Sequence, residues 1–119
     1  MNKKNNNLLI YRKYMDLIYY TNDLVRKYPK SERFAIVEEI KCAIYKGLRL
    51  LMYAIKTFVP ADKLKYLKEL DIELSLLKVY IRISYRYQYI SNKNYSTWSN
   101  MITEICNMLG GWIVSCQKR

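Results

Sequence analysis

The chain has no histidine, and only three glycines and two prolines among its 119 residues. Without histidine it lacks the commonest general base near neutral pH, every triad that depends on one, and most zinc sites. Scarce glycine and proline exclude a turn-rich β fold, which needs both at its many corners. No apolar run approaches the ~18 residues of a membrane-spanning helix, so no membrane partner is expected. The cysteines are Cys42, Cys106 and Cys116, an odd number with no CxxC pair. They read as reduced thiols of a cytoplasmic protein, with no metal site. The adjacent Gly110 and Gly111 lack the Lys and Ser/Thr of a phosphate-binding loop. Among the acids, Glu38 and Glu39 point apart on a helix, and Asp71 and Glu73 lie too near in sequence to face one site. The expectation is a protein with no catalytic residues, no cofactor and no small-molecule substrate.

What the chain does have is positive charge. Lys plus Arg number 21 against 10 acids, a net +11. Such an excess attracts polyanions, nucleic acid above all, although lysine-rich proteins without that role also exist. The length suits one domain with a genuine core.

Apolar residues recur at three- to four-residue spacing in four segments, which predicts four helices. The first runs from about Leu8 to Lys27, with Ile10, Tyr14, Leu17, Leu24 and Tyr28 on its stripe; Pro29 ends it. Before it, residues 1–7 read as a disordered polar tail, and residues 8–119 as one domain. The second is predicted to be capped by Ser31, with Glu32 at the positive end of the helix dipole. Its stripe is Val37, Ile40, Ile44, Leu48, Leu51, Ile55 and Phe58, and Pro60 either stops it or starts the next helix. The third carries Leu67, Leu70, Leu74, Leu77 and Ile81. Its back half, VYIRISYRYQYI, alternates like a strand. No turn signal separates it from the helix before it, and a lone strand has no partner, so helix is expected throughout. Ser91–Asn94 reads as the loop and Ser96 as the cap of the fourth segment, which ends near Ser115. Short connections make neighbours antiparallel, so the fold class is all-α: an up-down-up-down four-helix bundle.

In the third helix Lys78, Arg82 and Arg86 lie four apart and share a face, and no acid occurs from Leu74 to Asn94. Tyr85 and Tyr89 flank them, offering rings on which bases stack. The alternative is a solvated face of snorkelling stems. Tyr80, Ile83, Tyr87 and Ile90 form a further apolar stripe, which predicts burial against another copy of the chain, the alternative being a wide core filled by tyrosines.

The stretch YPKSERFAIVEEIKCAI, Tyr28 to Ile44, resembles the opening of helix two in the four-helix proteins related to ribosomal-RNA intervening-sequence proteins. LDIELSLLKVYIRIS and MLGGWIVS narrow the resemblance to Avd, the accessory variability determinant family of diversity-generating retroelements, over about Leu17 to Ser115. The resemblance implies a homopentameric barrel of bundles that is basic, binds RNA or DNA, and binds the element's reverse transcriptase during mutagenic cDNA synthesis. By position, Lys78 and Arg82 match the family's two basic residues of helix three, Arg33 matches the arginine of the opening motif, and Lys41 stands where an arginine is usual. Gly110, Gly111 and Trp112 match the signature. Val114 departs from a lysine common there: either one basic contact is missing, or Lys118 and Arg119 replace it from the tail. Arg86 rests on spacing alone. Arg49, Lys46 and Lys56 of helix two are further candidates for nucleic-acid contact.

Glycine inside a helix costs about 1 kcal/mol relative to alanine. Two in succession at Gly110 and Gly111 therefore suggest a tight helix contact, within the bundle or between subunits, anchored by Trp112. The alternative is a helix that frays at Leu109. Two other readings of the whole chain stand beside Avd: an intervening-sequence-type bundle with no polymerase partner, and an oligomeric scaffold with incidental basic surface.

Overall fold

Four helices account for nearly all of the computed structural model, which describes residues 3–118, with side chains from Asn7 onward. They are α1 (Lys3–Val25), α2 (Ile36–Lys56), α3 (Pro60–Arg86) and α4 (Asn92–Gln117), with one 3₁₀ turn at Lys30–Glu32 and no strand among the described residues. Each helix packs against its sequence neighbours, and α4 closes against α1. The bundle is 46 Å long, close to the ~40 Å expected of its longest helix.

The α1 stripe Ile10, Tyr14, Leu17, Leu24 and Tyr28 is buried throughout. Thr21, which interrupts the apolar run, is buried too, and its Oγ1 accepts the indole N–H of Trp98 from α4 at 3.0 Å. Helix begins at Lys3 rather than Leu8. Residues 3–7 of the expected polar tail are thus helical, while Met1 and Asn2 lie outside the described residues. Extending an existing helix gains one backbone hydrogen bond per residue, so polar residues continue it without a core.

Ser31 does not cap α2. Glu32, Arg33 and Ala35 donate their amides to Pro29, Lys30 and Glu32 carbonyls at 2.9–3.2 Å. These tight bonds satisfy the donors that a serine cap would have served, and α2 starts at Ile36 with no side-chain cap. Glu38 and Glu39 occupy its first turn, the favourable place for negative charge. Val37, Ile40, Ile44 and Leu51 are buried, and Leu48 and Ile55 half-buried. Phe58 departs from the stripe: α2 ends at Lys56 and the chain turns towards Pro60, which opens α3, leaving the ring 92% exposed.

One glycine is essential to this packing. Tyr14 is fully buried and its hydroxyl donates to the Ile44 carbonyl at 2.7 Å. A methyl group at Gly47 would stand 2.1 Å from that hydroxyl oxygen and 3.2 Å from Leu70 Cδ1. Hydrogen at this position lets the α1 phenol cross onto the α2 backbone.

Helix α3 runs unbroken through the alternating segment to Arg86, burying Leu67, Leu70, Leu74, Leu77 and Ile81. Gln88 then adopts φ 63°, with Gln88 N–H donating to Tyr85 O at 3.0 Å and Tyr89 N–H to Ser84 O at 2.9 Å. This is a Schellman turn with glutamine where glycine is usual. The turn therefore spans residues 87–91, not Ser91–Asn94. Ser91 is the cap of α4, accepting the Asn94 amide at 3.1 Å, and Ser96 lies inside the helix. The same turn swings Ile90 into the core, removing it from the expected outer stripe.

Helix α4 continues through both glycines to Gln117, so it does not fray at Leu109. A methyl group at Gly110 or Gly111 would meet nothing within 4 Å. The expected tight contact within the bundle is absent there, because the two positions turn away from the core formed by Trp98, Ile102, Ile105 and Leu109. Trp112 is half-buried against that core.

Candidate nucleic-acid interface

Helix α3 presents different chemistry on each side. Opposite its buried stripe, Ile72, Leu76, Val79, Ile83 and Tyr87 recur at helical spacing and are all exposed, Tyr87 by 65%. A helix with two opposed apolar stripes has one more than a monomeric bundle needs. Its flank towards α2 is acidic and paired. Lys46 bridges to Glu73 at 3.3 Å, and Tyr80 donates its hydroxyl to Glu39 at 3.3 Å. Burial, aided by Glu39, raises the Tyr80 phenol above its ordinary pKa.

The other flank carries Lys78, Arg82 and Arg86. Lys78 is half-buried on the α4 side, near Cys106; Arg82 and Arg86 are exposed. Burial pushes the Cys106 thiol up, with the Lys78 ammonium opposing. The ion pairs among the described residues are Lys13–Glu104, Arg26–Asp23 and Lys46–Glu73. Lys78, Arg82 and Arg86 take part in none of them, so their charge is available to an external anion.

The flanking tyrosines are organised among themselves. Tyr85 stacks on Tyr95 with centroids 4.3 Å apart and planes 8° from parallel, and its hydroxyl donates to Asn92 Oδ1. Tyr89 packs on Tyr87 at 5.8 Å and on Tyr28 at 5.3 Å. Tyr28 is buried, and the hydroxyl near its own is that of Ser84, which donates its proton to Tyr80 O at 2.9 Å and keeps its oxygen as an acceptor on the Tyr28 side. Burial pushes the Tyr28 phenol up to about 12.

On α2, Lys41, Arg49 and Lys56 are exposed, whereas Lys46 is spent on Glu73. Two residues missed in the sequence reading complete that face. Tyr45 and Tyr53 are exposed and fall between the cations at four-residue spacing from Lys41 to Tyr53. Tyr45 accepts the Asn22 side-chain amide at 2.9 Å, and Tyr53 stacks on Tyr66 at 5.2 Å. The spacing was visible in the sequence; that the face points outward was not. Arg33 is exposed beyond the 3₁₀ turn.

Not every predicted residue belongs to this surface. Gly110, Gly111 and Val114 are exposed on the outer side of α4. Trp112 sits at the opposite end of the bundle from Arg86, with the Lys63 ammonium 5.1 Å from its ring centroid. Among the described residues no helix is long and apolar enough to cross a membrane.

A family model described as bAvd-like matches residues 8–116. The crystal structure of a Bacteroides thetaiotaomicron protein of unknown function, from the S23 ribosomal protein family, is similar with a TM-score of 0.81. It shares 17% identity, with 91% of this chain and 97% of that one covered, a likeness of fold. No curated protein matches the chain.

Proposed function

The chain belongs to the bAvd-like family, and from that premise we propose that it is a self-associating, basic accessory subunit of a diversity-generating retroelement. In this reading it binds the element's reverse transcriptase and its RNA or cDNA, and supports mutagenic reverse transcription without chemistry of its own. The observation that carries the proposal is the pairing of features on α3: an exposed apolar stripe bordered by Lys78, Arg82 and Arg86, none of which belongs to an ion pair among the described residues.

The apolar stripe provides the drive for assembly, and a second copy is what covers it. The uncharged outer face of α4, with Asn100, Thr103, Asn107, Gly110 and Val114 exposed at helical spacing, suits close approach by the next subunit. An α3 face meeting an α4 face is heterologous, and such contacts close into a ring when the rotation from copy to copy completes a full turn. Five copies are the number that the family resemblance implies. Here Gly110 and Gly111 act between subunits. Each copy then repeats the Lys78–Arg82–Arg86 flank around the ring, with Tyr85 at its end for base stacking. Lys41, Arg49 and Lys56 add a second basic, tyrosine-interleaved face on α2.

Phosphate-dominated binding falls steeply with salt and depends little on sequence. A salt titration of RNA filter binding tests the nucleic-acid part. Replacing Lys78, Arg82 and Arg86 with glutamine should weaken binding at every sequence tried and flatten the salt slope by ~3. Light scattering of Val79→Lys and Ile83→Lys tests assembly. Co-purification with the polymerase encoded beside the gene tests the partner. A lone subunit that ignores RNA at low salt overturns the proposal. Oligomers that bind RNA but no polymerase point instead to an intervening-sequence-type bundle.

A further inference from the structure

The ends of all four helices border a cavity, open to solvent on one side, at the bundle end away from Arg86. Its volume is 540 Å³, and Ile10, Ile55, Met108 and Trp112 form apolar walls, one from each of α1 and α2 and two from α4. Among the described residues, Lys63, from the first turns of α3, is the one charged residue lining it, and no acid does. We propose that this cavity is a binding site for a small amphipathic anion, an aliphatic or aromatic body carrying a single acidic head group.

Three observations support the assignment. First, the volume fits a ligand of modest size, and apolar walls with a few convergent polar groups are the usual make-up of such sites. Second, the Lys63 ammonium is held over the Trp112 ring at 5.1 Å rather than reaching into water. Burial lowers its pKa, so the cation is partly stripped of solvent and an anionic head group would restore what it has lost. Third, Gly111 lines the cavity, and a methyl group there would meet nothing within 4 Å. Within the chain, this glycine gives up helix propensity without gaining a close neighbour. What it leaves is space at the cavity wall, which a larger side chain would occupy. This site is independent of the basic flank: Lys63 and Lys78 lie ~22 Å apart along α3.

The two tryptophans make the test specific. Trp98 is fully buried and bonded to Thr21, whereas Trp112 faces the cavity. The full-length, ¹⁵N-labelled protein is titrated with octanoate, 4-phenylbutyrate and the neutral 4-phenylbutanol while both indole N–H signals are followed. At least one acid should shift the Trp112 signal saturably and leave Trp98 in place; which acid does so tells an aliphatic from an aromatic ligand. The alcohol should bind about tenfold more weakly, and Lys63→Met should erase that difference. Gly111→Leu should block the acid, while Gly110→Leu, beside it but outside the cavity lining, should not. Both glycine variants disturb the outer α4 face, so an effect of assembly would strike them alike. No saturable shift, equal shifts of both indoles, or full binding by Gly111→Leu or Lys63→Met overturns the proposal. RNA and polymerase binding do not enter the readout, so failure here leaves the proposed function standing, and the reverse.

Discussion

Gly47 and the Gly110–Gly111 pair sit in helices of similar length, yet they do opposite things. Gly47 has no glycine neighbour and looks like an isolated weakness in an otherwise strong helix. It proves to be where Tyr14 crosses α2, and a methyl group there would collide at 2.1 Å. The pair looks like the obvious contact, and within the chain it faces open space. A glycine's value lies in what approaches it, and that neighbour comes from another helix.

The largest effect expected from this contrast is at Gly47. Gly47→Leu should lower stability by about 3 kcal/mol, as overpacking of a full core does, measured by urea unfolding. Retention of wild-type stability would mean that Tyr14 can move aside, and the contrast would break.

Alkaline pH probes the same contact. Burial raises the Tyr14 phenol above its ordinary value of 10.0, and Tyr28 shifts the same way. Folded protein therefore holds these protons more tightly than unfolded chain. The stabilisation is complete below pH 10 and is lost as pH rises through the folded-state values. Stability should fall above pH 10 by up to about 1.4 kcal/mol per pH unit for each tyrosine. Tyr14→Phe should flatten that decline.

A smaller effect sharpens the geometry. Gly47→Ala and Tyr14→Phe should each cost about 1–2 kcal/mol. Together they should cost less than the sum by about 1 kcal/mol, because phenylalanine lacks the oxygen that the new methyl would strike. Strict additivity would place the clash elsewhere.

The smallest effect has the opposite sign. In the dissociated chain, Gly110→Ala and Gly111→Ala should each stabilise by up to about 1 kcal/mol through helix propensity alone. If the pair packs between subunits, the same changes should weaken assembly in light scattering while raising the melting temperature of the monomer.

The candidate surface divides along the same lines as the glycines. Lys78, Arg82 and Arg86 were legible because a shared face follows from four-residue spacing. Their freedom was not, since it depends on which acids the packing brings within reach, and the ion pairs of the described residues include none of the three. Lys46 has the same charge as Arg49 and belongs to a different environment. Tyr45 and Tyr53 were overlooked because tyrosine suits core and surface alike, and only the packing of α2 shows which these are.

Periodicity and composition were enough to specify four helices, their core stripes and a surplus of positive charge, because helix geometry and charge are local properties of the chain. The alternating segment of α3 needed only the lack of a turn signal to be read as helix. Tertiary structure alone decided that Gln88 supplies the left-handed turn, that Ser91 rather than Ser96 caps α4, and that Ile90 turns inward while Phe58 turns out. It also decided which glycine is filled by a neighbour and which stands at an open cavity. Ile90, Phe58 and the glycines depend on atoms distant in sequence meeting or failing to meet, which no local pattern records. The Gln88 turn and the Ser91 cap close bonds only three to five residues long, but the place where α3 stops to make them follows from the packing of α3 against α4.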